Sequence, residues 1–383
     1  MATEKLYYMD CHQTIFSATV TGCEQVKDRW HIILDATCFY PEGGGQACDL
    51  GTLEEATVLH VREQGEEVVH VCDQPLAVGR KVCGTIDWNR RFDQMQQHTG
   101  EHIVSGLLHK KFGCHNVGFH IGAETMEIDF DCNPTPEELA RIEADANAAV
   151  WADKPILCRY PAPEELAQLT YRTKKALPWP VRIVTIPETD QCACCGVHTA
   201  RTGEVGLIKI LSAVKFHDGV RLQLVCGGRA YRYMAALYEQ ARVVSQTFSA
   251  KLPVIGQAAQ RQAEALAQEK MAAAALQKRL FGYIADSFQN REKILYFEAD
   301  LSGNALRELA DLLADRAGAY AAVFTGSDEV GYNYCIISRS MDLRPLGKAV
   351  NEALSGRGGG KPEALSGRVN ATRQQIEAFF AAQ

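Results

Sequence analysis

The segment FDQMQQHTGEHIVSGLLHKKF, residues 92–112, joins a helical pattern to a pair of metal-ligand side chains. Its apolar residues recur at helical spacing, which predicts an amphipathic helix; they are Ile103, Val104, Leu107, Leu108 and Phe112. His98 and His102 stand four positions apart, so one lies above the other on a helix face. Gly113 suits the C-terminal cap of this helix. The segment therefore predicts a helix that presents two imidazoles to one ion.

A second ligand pair follows in Cys194-Cys-Gly-Val-His198. It adds a thiolate and a third imidazole, and one Cys with three His is a ligand set that suits zinc. The predicted ligands, which only the fold can bring together, are His98, His102, Cys194 and His198. The choice of cysteine stays open, because Cys192 and Cys195 form a CxxC spacing that also occurs in structural zinc sites.

Residues 1–88 read as short strands separated by turn residues. The runs WHIIL (30–34), TVLHV (57–61) and EVVHVC (67–72) are β-branched and roughly alternate in polarity, as strands do. Closure into a small β-barrel is the natural way to pair the edges of such strands. The run FYPEGGGQ (39–46) ends one strand in three glycines, which suits either a hairpin turn or a backbone that approaches a ligand closely.

The rest of the chain mixes helices and strands, so the predicted fold class is α+β. Residues 114–230 read as mixed, with a helix from Pro136 to Trp151 that begins in a capping box of Thr135 and Glu138. Residues 230–287 are rich in Ala, Gln and Glu and read as helical, with a break at Pro253. Residues 291–383 alternate α and β elements and contain the loop GRGGGKP (356–362), whose amides suit an anion.

Composition narrows the function classes. The chain has 383 residues, 46% hydrophobic and 23% charged, which is ordinary for two or three globular domains. We expect no membrane span and no signal peptide, and we expect the 14 cysteines to be reduced in the cytoplasm.

The net charge of −7 argues against general nucleic-acid binding, so an RNA-binding role requires locally concentrated cations. The candidates, for which solvated surface charge is the alternative, are Arg172, Lys174 and Lys175 with nearby Arg182, and Arg357 with Lys361.

The motifs, taken in order, resemble the AlaX family of free-standing alanyl-tRNA editing proteins, relatives of the alanyl-tRNA synthetase editing domain. The resemblance rests on residues 39–46, Arg91, 97–102, 118–122, 194–198 and 225–229 and spans nearly all of the chain. The tail at residues 356–362 looks like the DHH-associated domain of the synthetase and of the long AlaX forms. Cys195 departs from the family, which often has glycine there, and this departure bears on which thiolate binds the metal.

The resemblance implies four domains. These are a β-barrel domain at 1–88, a zinc-dependent α+β editing domain at 89–232, a helical connector at 233–290 and a DHH-associated domain at 291–383. It also implies one zinc ion per chain and hydrolysis of the ester in seryl-tRNA(Ala), with glycyl-tRNA(Ala) as a further substrate. Such a site can favour serine over alanine by binding the serine hydroxyl, because a polar group would be left unpaired when alanine enters.

Site roles follow from the same resemblance. The residues predicted to contact the reacting group or the pocket are Thr37, Gln97 and His120; for the last two, support of the zinc histidines is the alternative. The glycine run predicted to line the pocket is Gly43, Gly44, Gly45 and Gln46. The predicted tRNA contacts are Lys174, Lys175, Arg357 and Lys361.

Other functions compete with editing of tRNA(Ala). A non-catalytic, zinc-stabilised tRNA-binding protein is the main alternative, and editing of threonyl-tRNA is another. A DHH phosphoesterase is disfavoured because the chain contains no Asp-His-His sequence, and the β-rich start leaves no room for an aminoacylation domain. A stripe of apolar residues in the predicted helical segment fits either a homodimer interface or packing within one domain. Its residues are Leu266, Ala273, Leu276, Leu280 and Ile284.

Overall fold

The computed structural model describes residues 2–173 and 179–383. The chain divides into two compact units, Met1–Val243 and Val244–Gln383. Both contain helices and sheets, which confirms the α+β class. The finer division into four domains stays a prediction. Within the described ranges, no helix combines the length and apolarity that crossing a membrane requires.

The first unit begins with eight strands. They are β1 (Glu4–Lys5), β2 (Ile15–Val26), β3 (Arg29–Leu34), β4 (Ala36–Thr37), β5 (Gly51–Leu53), β6 (Ala56–Gln64), β7 (Glu67–Cys72) and β8 (Lys81–Ile86). Six of them form a closed ring of antiparallel pairs in the order β2-β3-β7-β6-β5-β8, while β1 pairs in parallel with β4. Alternate residues such as Val20, Ile32 and Val58 are buried and form one core, as period-two alternation requires.

The first long helix, α1 (Trp88–Phe112), carries the predicted histidine pair. It begins four positions earlier than predicted, because the Asp87 carboxylate accepts a hydrogen bond from the Arg90 amide at 3.1 Å and caps the helix. Gly113 adopts the predicted left-handed cap with φ 69°. Arg91 is fully buried and donates to the Asp49 carboxylate and the Cys38 carbonyl. These bonds fix the helix against the ring of strands.

The rest of the first unit contains the segment 194–198, which follows the strand Asp190–Ala193 along the chain. The elements are β9 (Asn116–Ile121), β10 (Met126–Phe130), α2 (Pro136–Trp151), β11 (Leu157–Arg159), α3 (Pro163–Leu166), β12 (Ile183–Ile186), β13 (Asp190–Ala193), β14 (Ile208–Phe216) and β15 (Gly219–Cys226). The sheet orders are β14-β15-β10-β9 and β11-β12-β13. The predicted bounds of α2 and its capping box are confirmed. The expectation of fully reduced cysteines is wrong at one place, where Cys114 and Cys132 form a disulfide.

The helix α4 (Gly227–Thr247) leads into the second unit. Its further elements are α5 (Ile255–Asp286), β16 (Arg291–Glu298), α6 (Gly303–Ala314), β17 (Ala317–Ser327), β18 (Gly331–Ile337), α7 (Arg344–Ala353), β19 (Arg357–Lys361), β20 (Ala364–Val369) and α8 (Arg373–Ala382). The sheet order is β16-β17-β18-β20-β19. The predicted helix break at Pro253 is confirmed, because the proline lies in a short 3₁₀ turn between α4 and α5.

The glycine run near the C-terminus is a strand, and its prediction as a loop is wrong. It forms β19 at the sheet edge, antiparallel to β20. A side chain at Gly358 would bring its Cβ to 2.2 Å from the Tyr334 hydroxyl, and one at Gly360 to 2.2 Å from the Ala364 carbonyl. The glycines therefore permit close pairing of the edge strand, and Arg357 and Lys361 stay exposed at its two ends.

Candidate metal centre

The fold brings the four predicted ligands together. His98 and His102 project from α1, and Cys194 and His198 lie in the segment after β13. One ligand atom from each residue lies within 4.8 Å of the others. The ring centroids of His198 lie 4.6 Å from His98 and 4.8 Å from His102, and Cys194 Sγ lies 3.5 Å from His98 Nε2.

Two hydrogen bonds set the orientation of the helix histidines. His98 Nδ1 donates to Gln46 Oε1 and His102 Nδ1 donates to Asp190 Oδ2, each at 2.8 Å. Because both acceptors are oxygens that can only accept, the two Nε2 lone pairs are left for a cation. Histidine ligands of metals are commonly fixed in this way by a carboxylate or carbonyl.

Asp190 is in turn held by Arg172. The guanidinium donates from Nε to Oδ1 at 2.7 Å and from Nη2 to Oδ2 at 2.8 Å. Burial alone would raise the pKa of Asp190, but the bonds from His102 and Arg172 outweigh burial and lower that pKa to about 2. The carboxylate therefore stays ionised and keeps the imidazole tautomer fixed.

His198 provides the test of whether a metal fits. Its side chain is 3% exposed, and neither ring nitrogen has a hydrogen-bond partner among the described residues. Two unpaired nitrogens in the interior are unfavourable, and a cation coordinated by one nitrogen would remove part of that penalty. The donor set of three imidazoles and one thiol matches zinc chemistry.

The thiol chemistry favours Cys194 among the three neighbouring cysteines. Burial alone would raise the pKa of the Cys194 thiol, but the nearby imidazoles of His98, His102 and His198 outweigh burial and hold that pKa well below its usual value. Burial raises the pKa of Cys192 to about 11. A thiolate is the form of cysteine that binds metals. Cys195 is exposed and lies outside the four-ligand cluster.

Hydrogen bonds from Arg182 and Tyr8 hold the loop that contains Cys194. Arg182 Nη1 donates to the carbonyls of Cys194 at 3.0 Å and of Gly196 at 2.9 Å, and the Tyr8 hydroxyl donates to the Cys195 carbonyl at 2.6 Å. A Cβ at Gly196 would lie 2.1 Å from His98 Cε1. Glycine is therefore required there for the loop to approach the imidazole so closely.

A cavity of about 150 Å³ opens beside the cluster. Its lining includes three of the four predicted ligands together with apolar, polar and charged groups. These residues are Gly44, His98, Glu101, His102, Phe119, Arg172, Thr173, Cys192, Ala193, Cys194 and Cys195.

The glycine run at the cavity mouth is a tight turn. Gly43 and Gln46 exchange two backbone hydrogen bonds of 3.1 and 3.0 Å. Gly44 and Gly45 have φ values of 61° and 83°, and positive φ at both central positions is the signature of a type I′ turn. A Cβ on Gly45 would lie 2.6 Å from Phe119 Cδ1. The turn thus packs on Phe119 and brings Gly44 to the cavity.

Comparison with protein families and with known proteins shows what this chain is similar to. Residues 2–90 match class II (A) tRNA synthetases, residues 181–222 match the second additional domain of threonyl and alanyl tRNA synthetases, and residues 291–382 match the DHHA1 domain. The alanyl-tRNA editing protein Aarsd1 of Mus musculus is 25% identical over 96% of this chain and 95% of its own length. Over nearly its whole length the chain is thus similar to alanyl-tRNA editing proteins.

Alanine–tRNA ligases are also similar to this chain. The ligase of Thermofilum pendens is 32% identical over 97% of this chain, and that of Ignicoccus hospitalis is 32% identical over 94%. The chain spans only 43% and 40% of these two ligases. Among solved structures, RecJ with Mg²⁺ from Thermus thermophilus aligns with 37% of the chain and 27% of its own at 14% identity and a TM-score of 0.26.

Three predicted site residues, Gln97, Thr37 and His120, lie outside the lining of this cavity. The Gln97 amide exchanges hydrogen bonds of 2.9 and 2.8 Å with the backbone of Cys226. The Thr37 hydroxyl donates to His70 Nε2 at 2.8 Å. His120 is exposed and follows Phe119, so alternation along β9 directs it to the face opposite the cavity. The structure brings none of the three into the cavity lining.

The predicted cations separate into two groups. Arg172 is paired with Asp190, and Arg182 is 8% exposed and bonded to loop carbonyls. The view of these two arginines as surface charges for tRNA is therefore wrong. Lys174 and Lys175 lie outside the described residues.

Sequence reasoning missed two functional neighbours of the metal cluster. Asp190 stands four positions before Cys194, and Glu101 stands inside the histidine motif itself. The proximity of Glu101 to His102 was a usable signal, since a carboxylate beside a ligand histidine recurs in metalloenzyme motifs. No sequence signal pairs Asp190 with His102.

Proposed function

We propose that this protein is a trans-editing hydrolase that cleaves the ester of seryl-tRNA(Ala), with glycyl-tRNA(Ala) as a second substrate. The observation that carries the proposal is the four-ligand cluster, in which His198 has no hydrogen-bond partner among the described residues, beside a cavity of about 150 Å³. The relatives named alanyl-tRNA editing protein support the substrate class. We further propose that it acts in the cytoplasm and binds tRNA(Ala).

One zinc ion is the proposed cofactor, held by His98, His102, Cys194 and His198. When bound, zinc supplies Lewis-acid polarisation of the ester or an activated water. The chain's own residues orient the site: Gln46 and Asp190 fix the tautomers of His98 and His102. The cavity wall of Phe119 and Cys195 partly excludes bulk water, which strengthens polar contacts inside.

Gln46 is the proposed reader of the serine hydroxyl. Its Oε1 accepts from His98 Nδ1 at 2.8 Å and from the Val197 amide at 3.3 Å, which fixes the orientation of the side-chain amide. Its Nε2 is buried and has no hydrogen-bond partner among the described residues. A serine hydroxyl could accept from this nitrogen, whereas an alanine methyl would leave it unpaired. An unpaired buried donor of this kind costs about 1–3 kcal/mol.

We propose that the second unit contacts the phosphate backbone of the tRNA. Arg357 and Lys361 are exposed at the two ends of the edge strand β19, where they can reach phosphates. Lys174 and Lys175 remain proposed contacts on sequence grounds. The reading of the six-stranded ring as the N-terminal β-barrel, the roles of Gln97, His120 and Thr37, and a homodimer also stay predictions.

The test is release of labelled serine from seryl-tRNA(Ala), beside alanyl-tRNA(Ala), with and without a zinc chelator. Selective, chelator-sensitive release is expected. Cys194→Ala should abolish release and lower the zinc content, whereas Cys192→Ala, the matched control, should retain both. A folded, zinc-loaded protein that binds tRNA(Ala) but releases no serine would replace this proposal with the non-catalytic tRNA-binding alternative.

A further inference from the structure

Glu101 is a buried carboxylate in the wall of the cavity. Its side chain is 5% exposed, and its Oε2 lies 3.7 Å from His102 Nε2, the nitrogen that faces the metal cluster. It is the one acidic residue among the described residues that line the cavity. A carboxylate thus stands directly beside the place where the ester would react.

Two polar side chains hold this carboxylate in position. Ser105 Oγ donates to Glu101 Oε1 at 2.6 Å, and Asn116 Nδ2 donates to the same oxygen. Both partners are buried, with exposed fractions of 0% and 7%. Because both bonds end on Oε1, they orient Oε2 toward His102.

Among the described residues that line the cavity, Arg172 is the one with a permanent positive charge, and it pairs with Asp190. Arg172 forms a two-bond pair with Asp190 through Nε and Nη2. The aminoacyl ester itself brings a positive charge, because its α-ammonium is attached to the carbon next to the ester carbonyl. If the carbonyl lies against the metal cluster, the ammonium nitrogen, two bonds from the carbonyl carbon, lies beside it in the region that Glu101 faces.

We infer that Glu101 binds the α-ammonium of the aminoacyl ester and makes the site selective for esters with a free amine. This inference rests on the proposed editing function and deepens it. It defines the substrate class as unblocked aminoacyl esters and assigns to Glu101 a contact distinct from the one proposed for Gln46. A charge-assisted hydrogen bond of this kind predicts a preference of at least about tenfold.

The test compares seryl-tRNA(Ala) with glyceryl-tRNA(Ala), in which a hydroxyl replaces the amine at nearly equal size. Each enzymatic rate is divided by the spontaneous hydrolysis rate of the same ester, because the ammonium itself makes an ester more labile. Wild type should favour the seryl ester by at least about tenfold on this scale. Glu101→Gln should lose that preference, with a loss of rate on the seryl ester at least about tenfold greater than its loss on the glyceryl ester.

A binding measurement supplies a readout that does not depend on turnover. Calorimetry with the stable amide analogue of seryl-adenosine, beside its glyceryl counterpart, should show the same preference in wild type and its loss in Glu101→Gln. Glu101→Asp should retain part of the preference. Glu124→Gln is the matched control, since Glu124 is an exposed acid in the turn between β9 and β10, and it should behave as wild type.

The outcomes separate this inference from the proposed function. Equal handling of both esters by wild type would overturn the inference and leave editing intact, even if Glu101→Gln failed to fold. An equal loss of rate on both esters in Glu101→Gln, with unchanged binding, would instead assign Glu101 to positioning the attacking water. Absence of any ester cleavage by the zinc-loaded wild type would overturn the editing function itself.

Discussion

The substitution Asp190→Asn tests whether the metal cluster depends on its carboxylate support. Asp190 is 1% exposed at its side chain, accepts from His102 Nδ1 at 2.8 Å, and pairs with Arg172 through bonds of 2.7 and 2.8 Å. Asparagine keeps the shape of the side chain but removes the charge. The variant therefore isolates the electrostatic contribution to the orientation of His102 and to the burial of Arg172.

Two magnitudes follow from these contacts. Loss of a hydrogen-bonded carboxylate behind a ligand histidine lowers metal affinity by about 10- to 100-fold, which corresponds to about 1.4–2.8 kcal/mol. The metal-free protein should also lose stability, because the largely buried guanidinium of Arg172 would keep its charge without its partner. Breaking a buried pair from one side typically costs about 3–5 kcal/mol.

The assay is competition for zinc against a chromophoric chelator, together with urea unfolding of the metal-free protein. Asp153→Asn provides the matched control, because Asp153 also pairs with an arginine, Arg201, at 2.9 Å, but both side chains are about half exposed. That control should change stability by only about 0–1 kcal/mol. An unchanged zinc affinity in Asp190→Asn would refute the view that Asp190 orients the ligand.

Three further predictions concern single positions. Burial lowers the pKa of His70 to about 4, so between pH 6.5 and 4 the unfolded chain binds more protons than the folded protein. The free energy of unfolding should therefore fall by up to about 3 kcal/mol as pH drops through that range. Urea titrations of His70→Gln at the same pH values should lack this loss. Gly196→Ala should weaken zinc binding by at least about tenfold, because the new Cβ would lie 2.1 Å from His98 Cε1. Chelator competition measures this change, and a zinc affinity equal to that of wild type would contradict the packing argument. His198→Ala should destabilise the metal-free protein less than His102→Ala does. Both ring nitrogens of His198 are unpartnered among the described residues, whereas His102 is hydrogen-bonded to a carboxylate. Urea unfolding that shows the larger loss of stability in His198→Ala would contradict this prediction.

Local signals were sufficient to predict several parts of this structure. The bounds of α2 follow from Thr135, Pro136 and Glu138, whose capping bonds involve residues three positions apart. The clustering of the two ligand pairs follows from the chemistry of their side chains, although only the fold brings α1 and the segment after β13 together. In both cases the types of the residues indicate which side chains or backbone groups they bind.

Long-range pairing explains what the sequence did not reveal. Asp190 and His102 are 88 positions apart, and no pattern in either segment requires the contact. The run at residues 356–362 contains glycines that suit a loop as well as an edge strand, and the pairing with β20 decides between them. The disulfide between Cys114 and Cys132 likewise depends on the return of β10 to the end of α1.

The placement of the arginines bears directly on tRNA recognition. Arg91, Arg182 and Arg229 are each less than a tenth exposed, and they bind carboxylates or carbonyls inside the first unit. Their charges offset interior acids such as Asp49 and Asp93 instead of facing solvent. The net charge of −7 is therefore not relieved at the surface by these residues, and a polyanion would be repelled over much of it. The proposed binding of tRNA would then depend on exposed cations, and the proposed ones are Arg357 and Lys361 at the two ends of β19.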